Sequence, residues 1–338
     1  MMIEANKKIR FDGLDFLKFL ACISVVFIHC KFPGVFGEYM KTTGRTAVPF
    51  FLMVSGYFCA NRSLQIELVS LKKKSIHILN LILFSLAFYS VYHILINYVI
   101  NHSTPIEVAL GYVNTFDLKK LIIINTPSHY LHLWFLFALL YCYLLLYPAF
   151  IRRAILHKQI ILTTISLTIL VFVLSSEILP LLGKEIKVLG YKSQHVFLFR
   201  ALPFFLIGLY TRLFQPLKNI KTNTLLIVAL LGIGLSFIEH HFQVQDSQAY
   251  IGSILCSYSM LLYGLRCHRV FPKRAVKWGE KLSLYVYIYH IAVISISGYI
   301  SPSEWLTPII VVILSFIMAG ITVYARDYIF ERIRSKVS

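Results

Sequence analysis

The chain has 338 residues, 58% of them hydrophobic and only 14% charged, with a net charge of +18 and a mean hydropathy of +0.72. A soluble chain carries about 25% charged residues, so the soluble globular classes are excluded. The basic residues are dealt out between apolar runs rather than gathered on one element. That excludes a nucleic-acid binder despite the net charge.

Apolar runs near the spanning length of about 20 residues recur throughout, which predicts an all-α, polytopic membrane helical bundle. The start, MMIEANKKIR, is short and basic, and no A-x-A-like cleavage site follows, so the first span is expected to be retained. Ten transmembrane helices are predicted, at about 14–32, 46–60, 75–98, 131–150, 159–176, 195–211, 224–240, 249–265, 282–299 and 305–325, within a single domain 1–338. With a cytoplasmic N-terminus, only Lys31, Lys41, Arg45, Lys119, Lys120, Lys184, Lys187 and Lys192 fall in the outside connections. Nearly all the other Lys and Arg fall inside, among them Lys7, Lys8, Arg62, Lys72–Lys74, Arg152, Arg153, Arg266–Lys281 and Arg326–Lys336. By the positive-inside rule both termini are cytoplasmic.

The first span, LDFLKFLACISVVFIH, carries Lys18 and His29 eleven residues apart. On a helix that spacing is roughly three turns plus 20°, placing both on one face about 16 Å apart along the axis. Ionisable groups in lipid are costly and usually face a bundle interior, where they mark a path or a site. The second span, RTAVPFFLMVSGYF, opens on Arg45, has Pro49 in its first turn, and offers Ser55-Gly56 as a small face for close helix approach. The connection from about 99 to 130 is the longest; its triplet Asn101-His102-Ser103 is a chance glycosylation match. Its partly apolar interior, 106–124, predicts a re-entrant or interfacial helix. It leads into SHYLHLWFLFALLY, with His132 and Trp134 at the outer end of span four.

Span six, HVFLFRALPFFLIG, holds Arg200 a few residues inside its outer boundary, where it either snorkels or closes a polar cavity. Span seven ends in Glu239-His240-His241; the His pair reads as a solvated loop, and Glu239 as a carboxylate that can orient a histidine or balance Arg45 or Arg200. The basic connection 266–281 sets topology, contacts anionic membrane lipids, and can attract a phosphorylated donor. Span nine, SLYVYIYHIAVI, buries His290. The six cysteines fall singly, without a CxxC pair, so neither a disulfide framework nor a metal site is expected.

The polar set, Lys18, His29, Arg45, His132, Arg200, Glu239 and His290, contains no GxSxG elbow and no phosphate-binding loop. It offers imidazoles that move protons near neutral pH and cations that hold an anion or a developing oxyanion. That suits acyl or phosphoryl transfer to a hydroxyl, and equally the carriage of an anionic substrate. A transporter or flippase of a glycan or small amino acid is therefore the competing class. A structural partner in a polysaccharide-synthesis complex is a third reading.

The stretches LDFLKFLACISVVFIH, RTAVPFFLMVSGYF, HLWFLFALLY, FRALPFFLIG and SLYVYIYH, in this order, resemble the family-3 integral membrane acyltransferases over nearly the whole chain. That family's first helix usually has arginine, ten residues, then histidine; this chain has Lys18, which keeps the charge but lacks the bidentate fork. A lysine here also resembles the membrane half of vancomycin-resistance serine racemases. The resemblance implies a cytoplasmic acyl-CoA donor, acetyl-CoA or another, as co-substrate, with no bound cofactor. It implies a hydroxyl of a cell-surface or lipid-linked glycan as acceptor, and a bacterial plasma (inner) membrane location. In that frame His29 is the general base, with an acyl-histidine left open, Lys18 contacts the donor, and Arg45 steadies the oxyanion or the acceptor. His132 and Trp134 line the acceptor side, and Arg200, Glu239 and His290 support it.

Overall fold

The structure, a computed structural model, describes residues 10–60, 64–102, 104–114, 117–127, 130–151, 157–242, 250–300 and 303–337. Of the predicted features, Lys7, Lys8, Arg62, Arg152, Arg153 and Ser103 lie outside these residues. The first helix, α1 (Asp12–His29), is about 27 Å long. It is the hub: α2 (Gly34–Gly44), α3 (Ala47–Tyr57), α13 (Ile251–Arg266), α14 (Lys273–Lys281), α15 (Ser283–Ile300) and α16 (Thr307–Val337) all pack against it. The remaining long helices are α4 (Leu64–Asn101), α7 (Trp134–Ile151), α8 (Lys158–Val173), α11 (Leu202–Phe214) and α12 (Thr222–Phe242). Shorter pieces are α5 (Pro105–Asn114), α6 (Leu118–Ile124), α9 (Leu179–Leu181) and α10 (Phe197–Arg200).

Six helical segments among the described residues are long and apolar enough to cross a membrane, and seven if the bent pair α14–α15 counts as one. Their burial splits them into layers. α7 and α11 are inner, whereas α4, α8, α12 and α16 turn apolar side chains outward, as Ile309, Ile313, Ile317 and Ile321 do at helical spacing on α16. The chain is thus an all-α, multi-pass membrane protein, but the ten predicted spans do not all qualify. Of the predicted spans 14–32, 46–60 and 249–265, residues 14–29, 47–57 and 251–265 are helical. However, α3 has 11 residues and α13 has 16, while α1 carries Asp12, Asp15 and Lys18 within its 18.

Other boundaries moved for local reasons. Lys72–Lys74, expected in a loop, sit within α4, which runs three turns further than predicted because lysine is a good helix former, with Lys72 and Lys73 exposed. The supposed outer connection after span one is the helix α2. The interior of the long connection 99–130 folds as two short helices, α5, largely exposed, and α6, half-buried. Among the described residues the one departure from all-α is a hairpin, β1 (Lys187–Val188) with β2 (Tyr191–Lys192), paired antiparallel, Val188 opposite Tyr191. Its two turn residues, Leu189 and Gly190, both have positive φ, the mirror-image turn that matches strand twist.

Small residues set the helix spacing, as expected at Ser55-Gly56. A Cβ on Gly56 would lie 1.9 Å from the Phe205 carbonyl oxygen, and one on Gly208 1.8 Å from that of Met53. α3 and α11 therefore cross with backbones in mutual contact, the packing that drives association where lipid is as apolar as leucine. Gly208→Ala is expected to force the two helices apart and cost about 1–3 kcal/mol. A lowered unfolding midpoint of the protein in detergent checks it; an unchanged midpoint would show that the crossing relaxes freely.

Candidate active site

His29 is the last residue of α1, and its ring is exposed into a cavity of about 570 Å³. Distant segments supply the polar wall: Lys41 from α2, Arg45 just after it, Lys120 from α6, and His132 and Trp134 where a 3-10 turn (Leu131–Leu133) enters α7. His195 comes from a second 3-10 turn (Ser193–His195), Arg200 from α10 and Tyr287 from α15. No carboxylate lines this cavity among the described residues, so its field is positive. The Arg200 guanidinium lies 3.5 Å from the Trp134 ring centroid, a stacked cation–π contact that orients both side chains.

Behind His29 lies His290, fully buried, with ring centroids 5.1 Å apart; His290 in turn is 5.9 Å from His132. The His290 Nδ1 is 2.7 Å from the Tyr287 backbone carbonyl. A carbonyl only accepts, so Nδ1 carries the proton and Nε2 is left as a lone pair. The Nε2 atoms of His290 and His132 are both buried and have no hydrogen-bond partner among the described residues. The Tyr287 hydroxyl donates to the His132 carbonyl, tying α15 to the turn before α7. Tyr89 packs its ring 4.6 Å from that of His132 and donates to the Ile288 carbonyl at 2.7 Å.

A second cavity, of about 300 Å³, opens on the same face of α1 and holds Lys18, Cys22, Lys74 and Glu280. The two cavities share one wall: Val25, Val48, Phe135 and Tyr287 line both. Lys18 and His29 thus lie on one face, as the spacing implied, but each opens into its own chamber. Lys18 Nζ is 2.9 Å from Oδ1 of buried Asp15, and the Lys74 ammonium donates to the Phe58 carbonyl at the end of α3.

Of the residues singled out from the sequence, His29, Arg45, His132, Trp134 and Arg200 converge on the larger cavity and His290 backs it. Glu239 does not join them: its Oε2 accepts from the Gly252 amide at 3.0 Å, at the start of α13. An exposed helix end beside a carboxylate on the neighbouring helix is satisfied first, which is why Glu239 faces α13 and not the arginines. His240, read as loop, is helical, with Nδ1 3.1 Å from the Tyr250 hydroxyl. Sequence reasoning missed Lys41, Lys120, His195, Tyr287, Lys74 and Asp15. Only Asp15 carried a local signal, its i, i+3 spacing to Lys18.

An imidazole at His29, cations around it and a second chamber at its back form an arrangement that can serve group transfer. No curated protein and no solved structure matches the chain. The family model of the family-3 acyltransferase domain matches residues 11–326, nearly the whole chain, and the protein belongs to that family of membrane acyltransferases.

Proposed function

We propose that this chain moves an acyl group, in the first instance acetyl, from cytoplasmic acyl-CoA to a hydroxyl of a cell-surface or lipid-linked glycan. This resembles the O-acetyltransferase of enterobacterial common antigen. In this reading ten helices span a bacterial inner membrane and both termini are cytoplasmic. The observation that carries it is the shared wall of Val25, Val48, Phe135 and Tyr287: a smaller chamber with Lys18 and Lys74 abuts a larger one with His29 and the arginines. The smaller, mostly apolar chamber takes the donor's pantetheine arm and thioester, with Lys18 and Lys74 toward its phosphates. The larger takes the acceptor.

His29 removes the hydroxyl proton as the oxygen attacks the thioester carbon. Arg45 steadies the tetrahedral oxyanion. The C–S bond then breaks, and the proton on His29 passes to the leaving thiolate, giving the ester and free CoA. Trp134, held by Arg200, and His132 line the acceptor side, and His290 positions the His29 ring.

The test is transfer from radiolabelled acetyl-CoA in inverted membrane vesicles carrying wild type or His29→Ala. Label in a glycan or lipid-linked fraction with wild type alone is the expected result. Equal label with both removes the assigned base. No label with acetyl- or succinyl-CoA, together with glycan movement independent of either, replaces this reading by a flippase.

Lys18 gives a second test. Lys18→Ala strands the buried carboxylate of Asp15, so stability and donor affinity fall together. Lys18→Arg keeps both in part. Lys18→Ala with Asp15→Asn is expected to recover the unfolding midpoint but not the KM for acetyl-CoA. If it recovers both, Lys18 serves only Asp15.

A further inference from the structure

Beside the larger chamber is a separate cavity of about 200 Å³ whose lining includes Ser175, Lys184, Glu185, Lys192, Ser193 and Gln194. Its floor is a π-helical turn, Leu174–Ile178, in which Ser175 is spent on the Val171 carbonyl. Its rim is held by two tight devices. One is the hairpin. The other is the end of α9, where Gly183 at φ +63° lets the Lys184 amide reach the Leu179 carbonyl and the Gly183 amide the Pro180 carbonyl.

Two polar atoms in this wall are buried and have no hydrogen-bond partner among the described residues: Ser193 Oγ, on a fully buried residue, and Gln194 Oε1, on one that is 8% exposed. Such atoms cost stability, and a ligand group that bonds them recovers that cost. The next residue of the same turn, His195, lines the larger chamber. One 3-10 turn therefore faces both spaces.

The donor set selects the ligand. Gln194 Oε1 and the Glu185 carboxylate accept, Gln194 Nε2, Lys184 and Lys192 donate, and Ser193 does either. Glu185 already holds Lys187 and Lys192 at 2.7 and 3.3 Å, so of the two lining lysines Lys192 is spent, and a carboxylate or phosphate would meet Lys184 against the oxygens of Glu185 and Gln194. A neutral ring bearing several hydroxyls donates to the acceptors and accepts from the lysine. The volume suits one such ring rather than a larger ligand.

We propose that this cavity is a subsite for a neutral sugar unit of the acceptor glycan, next to the unit that receives the acyl group. It rests on the acyl-transfer reading for its role and on the unpartnered atoms for its existence.

The experiment uses the full-length protein in detergent, wild type and Ser193→Ala/Gln194→Leu. The variant replaces both orphaned atoms with apolar ones, so its unfolding midpoint should equal or exceed that of wild type. Chitotetraose or maltotetraose should raise the midpoint of wild type and not of the variant. In the transfer assay the KM for glycan should rise about ten-fold, the value of roughly one good hydrogen bond, with the KM for acetyl-CoA unchanged. A variant whose midpoint and activity fall together shows a merely structural turn and overturns the subsite. So does a wild type that neither tetrasaccharide stabilises. A shift with no acyl transfer in wild type keeps the subsite and sinks the proposed function instead.

Discussion

Replacing His29 with alanine is expected to lower acyl transfer by about 10²–10⁴, the usual value of a positioned general base. The ring is exposed into the chamber at the end of α1, so its loss removes little packing beyond the contact with the His290 ring. Membrane insertion and the unfolding midpoint should hold. The loss should appear in kcat, because proton removal belongs to the transition state and not to binding either substrate. His29→Gln should be equally inactive: glutamine keeps polarity but cannot take the proton. A variant that keeps most of its turnover would assign the base elsewhere, and the two remaining imidazoles of the chamber wall, His132 and His195, would be tested next.

Arg45→Met is expected to lower kcat by about 10²–10³, the value of one oxyanion donor in a site shielded from water. Arg45 follows the end of α2, where its amide bonds the Lys41 and Thr42 carbonyls; this fixes the backbone from which the guanidinium reaches the wall that also carries His29. Arg45→Lys should recover part of the loss, since charge remains while the planar fork is gone. The measurement is kcat and the KM for both substrates. A rise confined to the KM for the glycan would make Arg45 a clamp on the acceptor and not a partner of the oxyanion.

Composition alone fixed the broad class, because 14% charged residues cannot cover a soluble surface of this size. The eleven-residue interval between Lys18 and His29 fixed their common face, because a helix has one period wherever it packs. Gly56 was legible too: a small residue in an apolar helix has little use except close approach. Local pattern also supplied the order of the stretches on which the family resemblance rests, and the family match over residues 11–326 agrees with it.

What the sequence could not reveal was partnership. Helix rotation and neighbour choice bring Lys41, Lys120, His195 and Tyr287 to the chamber of His29, and these are settled by packing between segments far apart in the chain. Glu239 shows the same limit from the other side. Its spacing allowed a partnership with the arginines, but its carboxylate meets the Gly252 amide at the start of α13. Hydropathy alone does not set the number of spanning helices, for a related reason. Hydropathy measures a helix against lipid, whereas α1, α3 and α13 are measured against other helices, so a short or charged helix is stable where a bundle surrounds it. The local sequence dictates what each helix is; only the tertiary structure decides which of its faces meets water, lipid or another polar group, because that choice minimises the whole set of buried polar atoms at once.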